Sequence, residues 1–135
     1  MGLPDFMKYK DKFTPKGFVE KIQRIAKRAG AKMVYGALLL FYTLDSDKVS
    51  VKDKAIIIGA LGYLISPVDV IPDAIPLAGL SDDLAVLIYV IHKVWNEVSE
   101  EVKEKAKAKL TKWFDEDEIK EADNLFLEDP NQDPV

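Results

Sequence analysis

Residues 66–83 read SPVDVIPDAIPLAGLSDD, and this stretch separates two apolar runs of helical character. It places three prolines and four aspartates inside the most hydrophobic third of the chain. Because each proline excludes α-helical geometry at the residue before it, the stretch cannot continue either neighbouring helix. We predict two or three short capped turns that reverse the chain.

Local rules assign structural roles within this segment. Ser66 is a cap with Pro67 at the first position of its turn and Asp69 at the third. Pro72 and Pro76 then end the short turns, and Gly79 gives the backbone freedom before Ser81 caps the next helix. The residues predicted to have structural roles are Ser66, Pro67, Pro72, Pro76, Gly79 and Ser81.

A second hypothesis gives the aspartates of this segment a chemical role. A compact reversal brings carboxylates together, and oxygen-only ligands suit Mg²⁺, Ca²⁺ or Mn²⁺. The chain would then be a divalent-metal-binding domain or a metal-dependent hydrolase. N-terminal capping is the competing explanation for each carboxylate, and it requires no cofactor. The candidate metal ligands are Asp69, Asp73, Asp82 and Asp83.

The apolar runs on either side predict the two central helices. Ser50 and Asp53 have the spacing of a capping box, and residues 54–65 that follow are apolar on nearly all sides. After the proline segment, Ser81 opens a helix that places Asp82 and Asp83 in its first turn. We predict that 54–65 and 84–95 form the centre of the bundle.

The N-terminal third predicts one long helix over 15–44, capped by Thr14 and bent near Gly30. Its first half is amphipathic and carries a basic stripe at helical spacing. Such a stripe beside an apolar face is typical of helices that lie on anionic lipid, and it is also typical of a solvated bundle helix. The residues of the stripe are Lys21, Arg24, Arg28 and Lys32.

The C-terminal third predicts a surface helix over 100–114, capped by Ser99, and a short last turn that ends at residue 125. The sequence thus predicts an all-α, single-domain bundle of about four main helices. Its boundaries are a flexible N-terminus over 1–13, a helical domain over 14–125 and a disordered acidic tail over 126–135.

Composition narrows the classes of function. The net charge is −4, yet residues 1–32 carry nine basic against three acidic residues, and residues 93–135 carry seven against thirteen. Cysteine is absent, which removes thiolate zinc sites and disulfides. The basic residues are not interleaved with aromatics and the whole chain is acidic, so nucleic acid is not an expected partner. The longest apolar runs are too short for a ~30 Å hydrocarbon core.

Catalytic signatures are weak. His92 is the only histidine, and it lies on an apolar helix, so the usual nucleophilic triads cannot be built. The glycines at 59 and 62 lie in a helical pattern and do not form a phosphate loop. We therefore expect a protein without catalysis.

Residues 54–87 resemble the YkvA-like family, also called domain of unknown function 1232. The family pattern consists of a lysine, a helix that ends in tyrosine, the motif S-P-x-D-x-I-P-D-x-I-P, a glycine and a paired D-D. This chain has the lysine at Lys54, the tyrosine at Tyr63, the motif over 66–76, the glycine at Gly79 and the pair at Asp82 and Asp83. The resemblance implies no established activity, and it implies membrane association, which is often predicted for related domains. It makes 14–125 a YkvA-like domain.

The expectations for function are therefore three. The first is a non-catalytic helical binding or structural module with a protein partner, either soluble or loosely membrane-associated. The second is the metal-dependent alternative, and the third is a peripheral membrane protein that docks on anionic lipid through helix 15–44. An intracellular location, cytoplasmic or membrane-associated, suits all three.

Overall fold

The structure is a computed structural model that describes residues 13–46, 49–65 and 76–127, without the side chains of Ile65, residues 76–83 and Leu127. The described residues form six α-helices, one short 3₁₀ helix at Trp95–Glu97 and no strand. The predicted all-α fold is confirmed. The helices are α1 (Pro15–Ala29), α2 (Ala31–Leu44), α3 (Val51–Ile65), α4 (Pro76–Lys93), α5 (Glu100–Leu110) and α6 (Glu116–Leu127).

Several helices begin at the caps that the sequence predicts. The Thr14 hydroxyl accepts a hydrogen bond from the Gly17 amide at 3.0 Å, with Pro15 at the first helical position. Ser50 does the same for the Asp53 amide at 3.1 Å, and Ser99 for the Val102 amide at 3.1 Å. These caps satisfy amides that have no partner inside their own helix.

The prediction of one helix over 15–44 is wrong, because the chain reverses direction at Gly30. The Gly30 backbone has φ 93° and ψ 159°, a conformation essentially restricted to glycine. The reversal makes α1 and α2 an antiparallel pair, in which the rings of Phe18 and Phe41 stack with their centroids 4.5 Å apart.

Gly30→Ala should therefore lower the free energy of unfolding by about 1–3 kcal/mol. A Cβ at this position would have no heavy atom within 4 Å, so the alanine side chain meets no steric clash. The loss of stability therefore measures the backbone strain alone. Urea denaturation followed by circular dichroism measures it. An unchanged stability would show that the chain does not reverse through this conformation.

Helix α2, rather than α3 and α4, forms the centre of the bundle. It packs against each of the other five α-helices, whereas the sequence analysis put 54–65 and 84–95 at the centre. Its residues 33–40 are all buried, and this burial explains why polarity almost disappears from that part of the sequence. A helix that is apolar on every side is stable only when other elements surround it.

The start of α4 also differs from the prediction. The helix begins at Pro76, so Gly79 and Ser81 lie within it and Ser81 is not its cap. Proline at the first helical position loses nothing by its missing N–H. Pro76 therefore starts this helix, where the sequence interpretation made it the end of a turn.

The last helix is longer than the predicted short turn. Asp115 and Glu118 form a reciprocal capping box, with hydrogen bonds of 2.9 and 3.1 Å, and α6 then continues to Leu127. Phe126 is only 1% exposed. The helical domain thus extends past the predicted boundary at residue 125.

Candidate functional site

The proline–aspartate segment lies only partly within the described residues. Ser66, Pro67, Pro72 and the predicted metal ligands Asp69 and Asp73 are outside them. Asp82 and Asp83 lie in the second turn of α4, so the prediction that they occupy a first turn is wrong.

The metal hypothesis gains no support from the described side chains. Among them, no group of three or more histidine and acidic residues is placed to hold a metal ion. The divalent-metal site at Asp69, Asp73, Asp82 and Asp83 stays a prediction.

A shallow groove of about 240 Å³ opens at the Gly30 reversal. Its lining comes from the α1–α2 junction, from Leu84 of α4 and from Glu118 and Glu121 of α6. Lys32 supplies a positive charge at the same place. Because two carboxylates line the groove, it repels acidic ligands, and its lining includes no nucleophile of the serine or cysteine type.

Four exposed cations cluster on the second half of α1 and the first turn of α2, apart from the exposed Lys16 at the start of α1. Arg24, Lys27 and Arg28 lie three and four residues apart on one side of α1, and Lys32 follows just past Gly30. We call Arg24, Lys27, Arg28 and Lys32 the basic face. None of the four has an ion-pair partner among the residues that the structure describes.

Lys21, the first residue of the predicted stripe, has a different environment. It is half-buried, and its Nζ donates a hydrogen bond of 2.6 Å to the carbonyl oxygen of Leu64. This carbonyl belongs to the last turn of α3, where carbonyl groups lack helical partners and favour a cation. Lys21 therefore joins α1 to α3, and Lys27, which the sequence interpretation missed, is exposed together with Arg24 and Arg28.

The apolar side of α1 is not available to lipid. Phe18, Ile22 and Ala26 are between 1% and 7% exposed and belong to the hydrophobic core. The third expectation assumed an apolar face beside the basic stripe, free to enter a membrane. Among the large apolar side chains of α1, the exposed one is Val19, at 38%.

A polar cluster connects α2 with α5 and α6. The buried Tyr35 hydroxyl of α2 donates a hydrogen bond of 2.9 Å to Asp123 of α6. The other oxygen of Asp123 lies 3.0 Å from Lys107 Nζ of α5. Burial, followed by the hydrogen bond to Asp123, raises the pKa of Tyr35 above its usual range. We interpret the cluster as a structural link, because Tyr35 is inaccessible to a substrate.

This link predicts a specific alkaline sensitivity. Tyr35→Phe should cost about 1.5–3 kcal/mol near neutral pH, since Asp123 loses a hydrogen bond. The raised pKa means that the folded protein keeps the phenol proton after the unfolded chain has lost it. The contribution of Tyr35 to the free energy of unfolding is therefore full below a pH of about 10. Above that pH the contribution falls by about 1.4 kcal/mol for each pH unit. The difference in urea stability between wild type and Tyr35→Phe should shrink above that pH, and a constant difference would contradict the assignment.

The Nε2 atom of the half-buried His92 is not placed to act as a catalytic base. Its ring stacks on Trp95 with the centroids 5.9 Å apart. The Nε2 atom is buried and has no hydrogen-bond partner among the described atoms. A general base must reach the proton that it removes, and a buried Nε2 cannot reach one on an external substrate.

Part of the chain matches a family model. The model of a family described as Protein of unknown function (DUF1232) matches residues 53–89. Neither the curated proteins nor the solved structures gave a match. The matched residues include most of α3 and the larger part of α4, and the basic face lies outside them. Through residues 53–89 the chain is thus similar to the DUF1232 family, as the resemblance predicted.

Proposed function

We propose that this protein is a non-catalytic helical binding module that adsorbs reversibly to anionic membrane surfaces through its basic face. The proposal rests mainly on the four exposed cations of that face, which lack ion-pair partners among the described residues. Lys105, by contrast, pairs with Glu101 at 3.6 Å, and exposed lysines without a described ion pair elsewhere, such as Lys52, Lys112 and Lys120, are not clustered on one helix face. Basic side chains that are not held in an ion pair are available to an external anionic surface, although the exposed Glu20 lies one turn before Arg24 on α1.

The strength of this interaction follows from the number of charges. Each basic side chain near an anionic leaflet contributes about 1 kcal/mol. Four of them give about 4 kcal/mol, which corresponds to a dissociation constant of about 1 mM in accessible lipid. Since the apolar side of α1 is in the core, no insertion energy adds to this value. The expected association is therefore loose and sensitive to salt.

The shape of the surface favours a membrane over an acidic protein segment. The cations lie on the convex outside of a helix, and the groove beside them is lined by Glu118 and Glu121, which repel an acidic peptide. Lipid headgroups need no groove, because they move laterally to match the spacing of the charges. No described helix is both long and apolar enough to cross a membrane.

Co-sedimentation with vesicles tests the proposal. Wild-type protein should pellet with vesicles that contain phosphatidylserine at about 0.05 M salt and return to the supernatant at about 0.5 M, because added salt shortens the screening length. Neutral phosphatidylcholine vesicles should leave it in the supernatant at both salt concentrations. Failure to pellet with the anionic vesicles at low salt would refute the proposal.

A further inference from the structure

We propose that the groove at the Gly30 reversal recognises the headgroup of phosphatidylethanolamine and gives the loose membrane association a preference among lipids. The groove measures about 240 Å³, and its lining carries charges of both signs. Lys32 comes from the start of α2, and Glu118 and Glu121 come from α6. A headgroup that joins a phosphate to a primary ammonium has the complementary pair of charges.

The two carboxylates of the groove are available to an ammonium group. Glu118 and Glu121 are three residues apart, so they lie on the same side of α6. Both are exposed, and neither has an ion-pair partner among the residues that the structure describes. Glu118 accepts the capping hydrogen bond of the Asp115 amide through Oε1, at 3.1 Å. A primary ammonium donates three hydrogen bonds, so it can bind Glu121 together with the second oxygen of Glu118.

The positive side of the groove lies at the start of α2. The side chain of Lys32 is exposed there, and no side-chain hydrogen bond caps the first amides of α2, which follow Gly30. A lysine and free amides at a helix start both favour a phosphate. Lys32 is also the last cation of the basic face, so the groove adjoins the surface that we assign to the membrane.

The groove distinguishes the common headgroups by their chemistry. Its remaining lining includes the apolar Ala29, Met33 and Leu84, which suit the carbon atoms of the headgroup. The trimethylammonium of phosphatidylcholine has no N–H to donate to a carboxylate, and phosphatidylglycerol has no ammonium. Phosphatidylserine adds a carboxylate that Glu118 and Glu121 repel. Of these four headgroups, that of phosphatidylethanolamine fits the groove.

The effect on membrane binding rests on the proposed function, because the basic face brings the groove to the lipid. Vesicles that combine phosphatidylglycerol with either phosphatidylethanolamine or phosphatidylcholine carry the same net charge. Wild-type protein should reach half-binding at about fivefold less lipid when the neutral component is phosphatidylethanolamine, the upper value for one exposed charge pair. Equal affinity for the two kinds of vesicle would overturn the proposal.

Neutralising the two glutamates separates recognition from net charge. Glu118→Gln with Glu121→Gln removes negative charge beside the basic face, so binding to the phosphatidylcholine-containing vesicles should stay the same or become tighter. The fivefold preference for phosphatidylethanolamine should nevertheless disappear. Glutamine at residue 118 can still make the capping hydrogen bond. The matched control, Glu116→Gln with Asp117→Asn, removes the same charge from exposed positions of α6 and should keep the preference. A preference that survives in the first variant would contradict the assignment of the groove.

A titration with glycerophosphoethanolamine tests the groove without any membrane. The amide signals of Lys32, Glu118 and Glu121 should shift in nuclear magnetic resonance spectra, and glycerophosphocholine should leave them unchanged. The absence of a difference between the two compounds would overturn the recognition of the headgroup, even if the protein binds vesicles. If the signals shift selectively but the protein binds no vesicles, the proposed function fails and the headgroup site is supported.

Discussion

Phe126→Ala should lower the free energy of unfolding by about 3–5 kcal/mol, a large fraction of the ~5–15 kcal/mol that stabilises a typical domain. Phe126 is 1% exposed and packs edge-on against Tyr35. Its ring also fills the space left by Gly36, where an added Cβ would lie 2.7 Å from Phe126 Cζ. Truncation to alanine removes this ring from the core and leaves a cavity beside Gly36.

Urea denaturation followed by circular dichroism measures this loss, with Asn124→Ala on the exposed side of α6 as the control. The control should change stability by less than about 0.5 kcal/mol. A deletion that starts at residue 126 should destabilise the domain at least as much as Phe126→Ala, whereas one that starts at residue 128 should not. Equal stability of the two deletions would contradict the burial of Phe126.

Removing the basic face should abolish membrane binding without disturbing the fold. The variant Arg24→Gln, Lys27→Gln, Arg28→Gln removes three cations, and at about 1 kcal/mol each its affinity for anionic vesicles should fall on the order of 100-fold. Wild type should be half-bound near about 1 mM accessible lipid, and the variant should show no detectable binding at that concentration. All three side chains are exposed, so the urea midpoint should not change.

A charge-matched variant separates a local effect from one of net charge. Lys52→Gln, Lys112→Gln and Lys120→Gln remove the same total charge from exposed positions outside the basic face. This variant should retain most of the affinity of the wild type. If both triple variants lose binding equally, attraction depends on overall charge, and the basic face is not a defined surface.

The features of the fold that depend on residues close together in the sequence were predictable. Thr14, Ser50 and Ser99 cap the helices that follow them, because a hydroxyl two or three residues before the free amides is a local arrangement. The reversal at Gly30 was mistaken for a bend, since a glycine within a helical pattern is compatible with both. The Gly30 backbone at φ 93° and the packing of Phe18 on Phe41 distinguish the two geometries.

In the candidate site, too, local spacing was predictable from sequence and long-range contacts were not. The spacing of Arg24 and Arg28 predicted an exposed basic stripe, and Lys27 could have been found at three residues from Arg24. The hydrogen bond of Lys21 to Leu64 was not predictable, because its partner is 43 residues away on another helix. The link between Tyr35 and Asp123 spans 88 residues and has no sequence signal.

The most direct test of the basic face as the membrane-binding surface uses two single-cysteine variants of this cysteine-free chain, Gln23→Cys on α1 and Asn124→Cys on α6. Each carries an environment-sensitive fluorophore and is titrated with phosphatidylserine vesicles at low salt. We expect the label at residue 23 to change its emission as lipid is added, to recover it at high salt, and the label at residue 124 to remain unchanged. A response at residue 124 without one at residue 23 would contradict the account, and so would no response at either position.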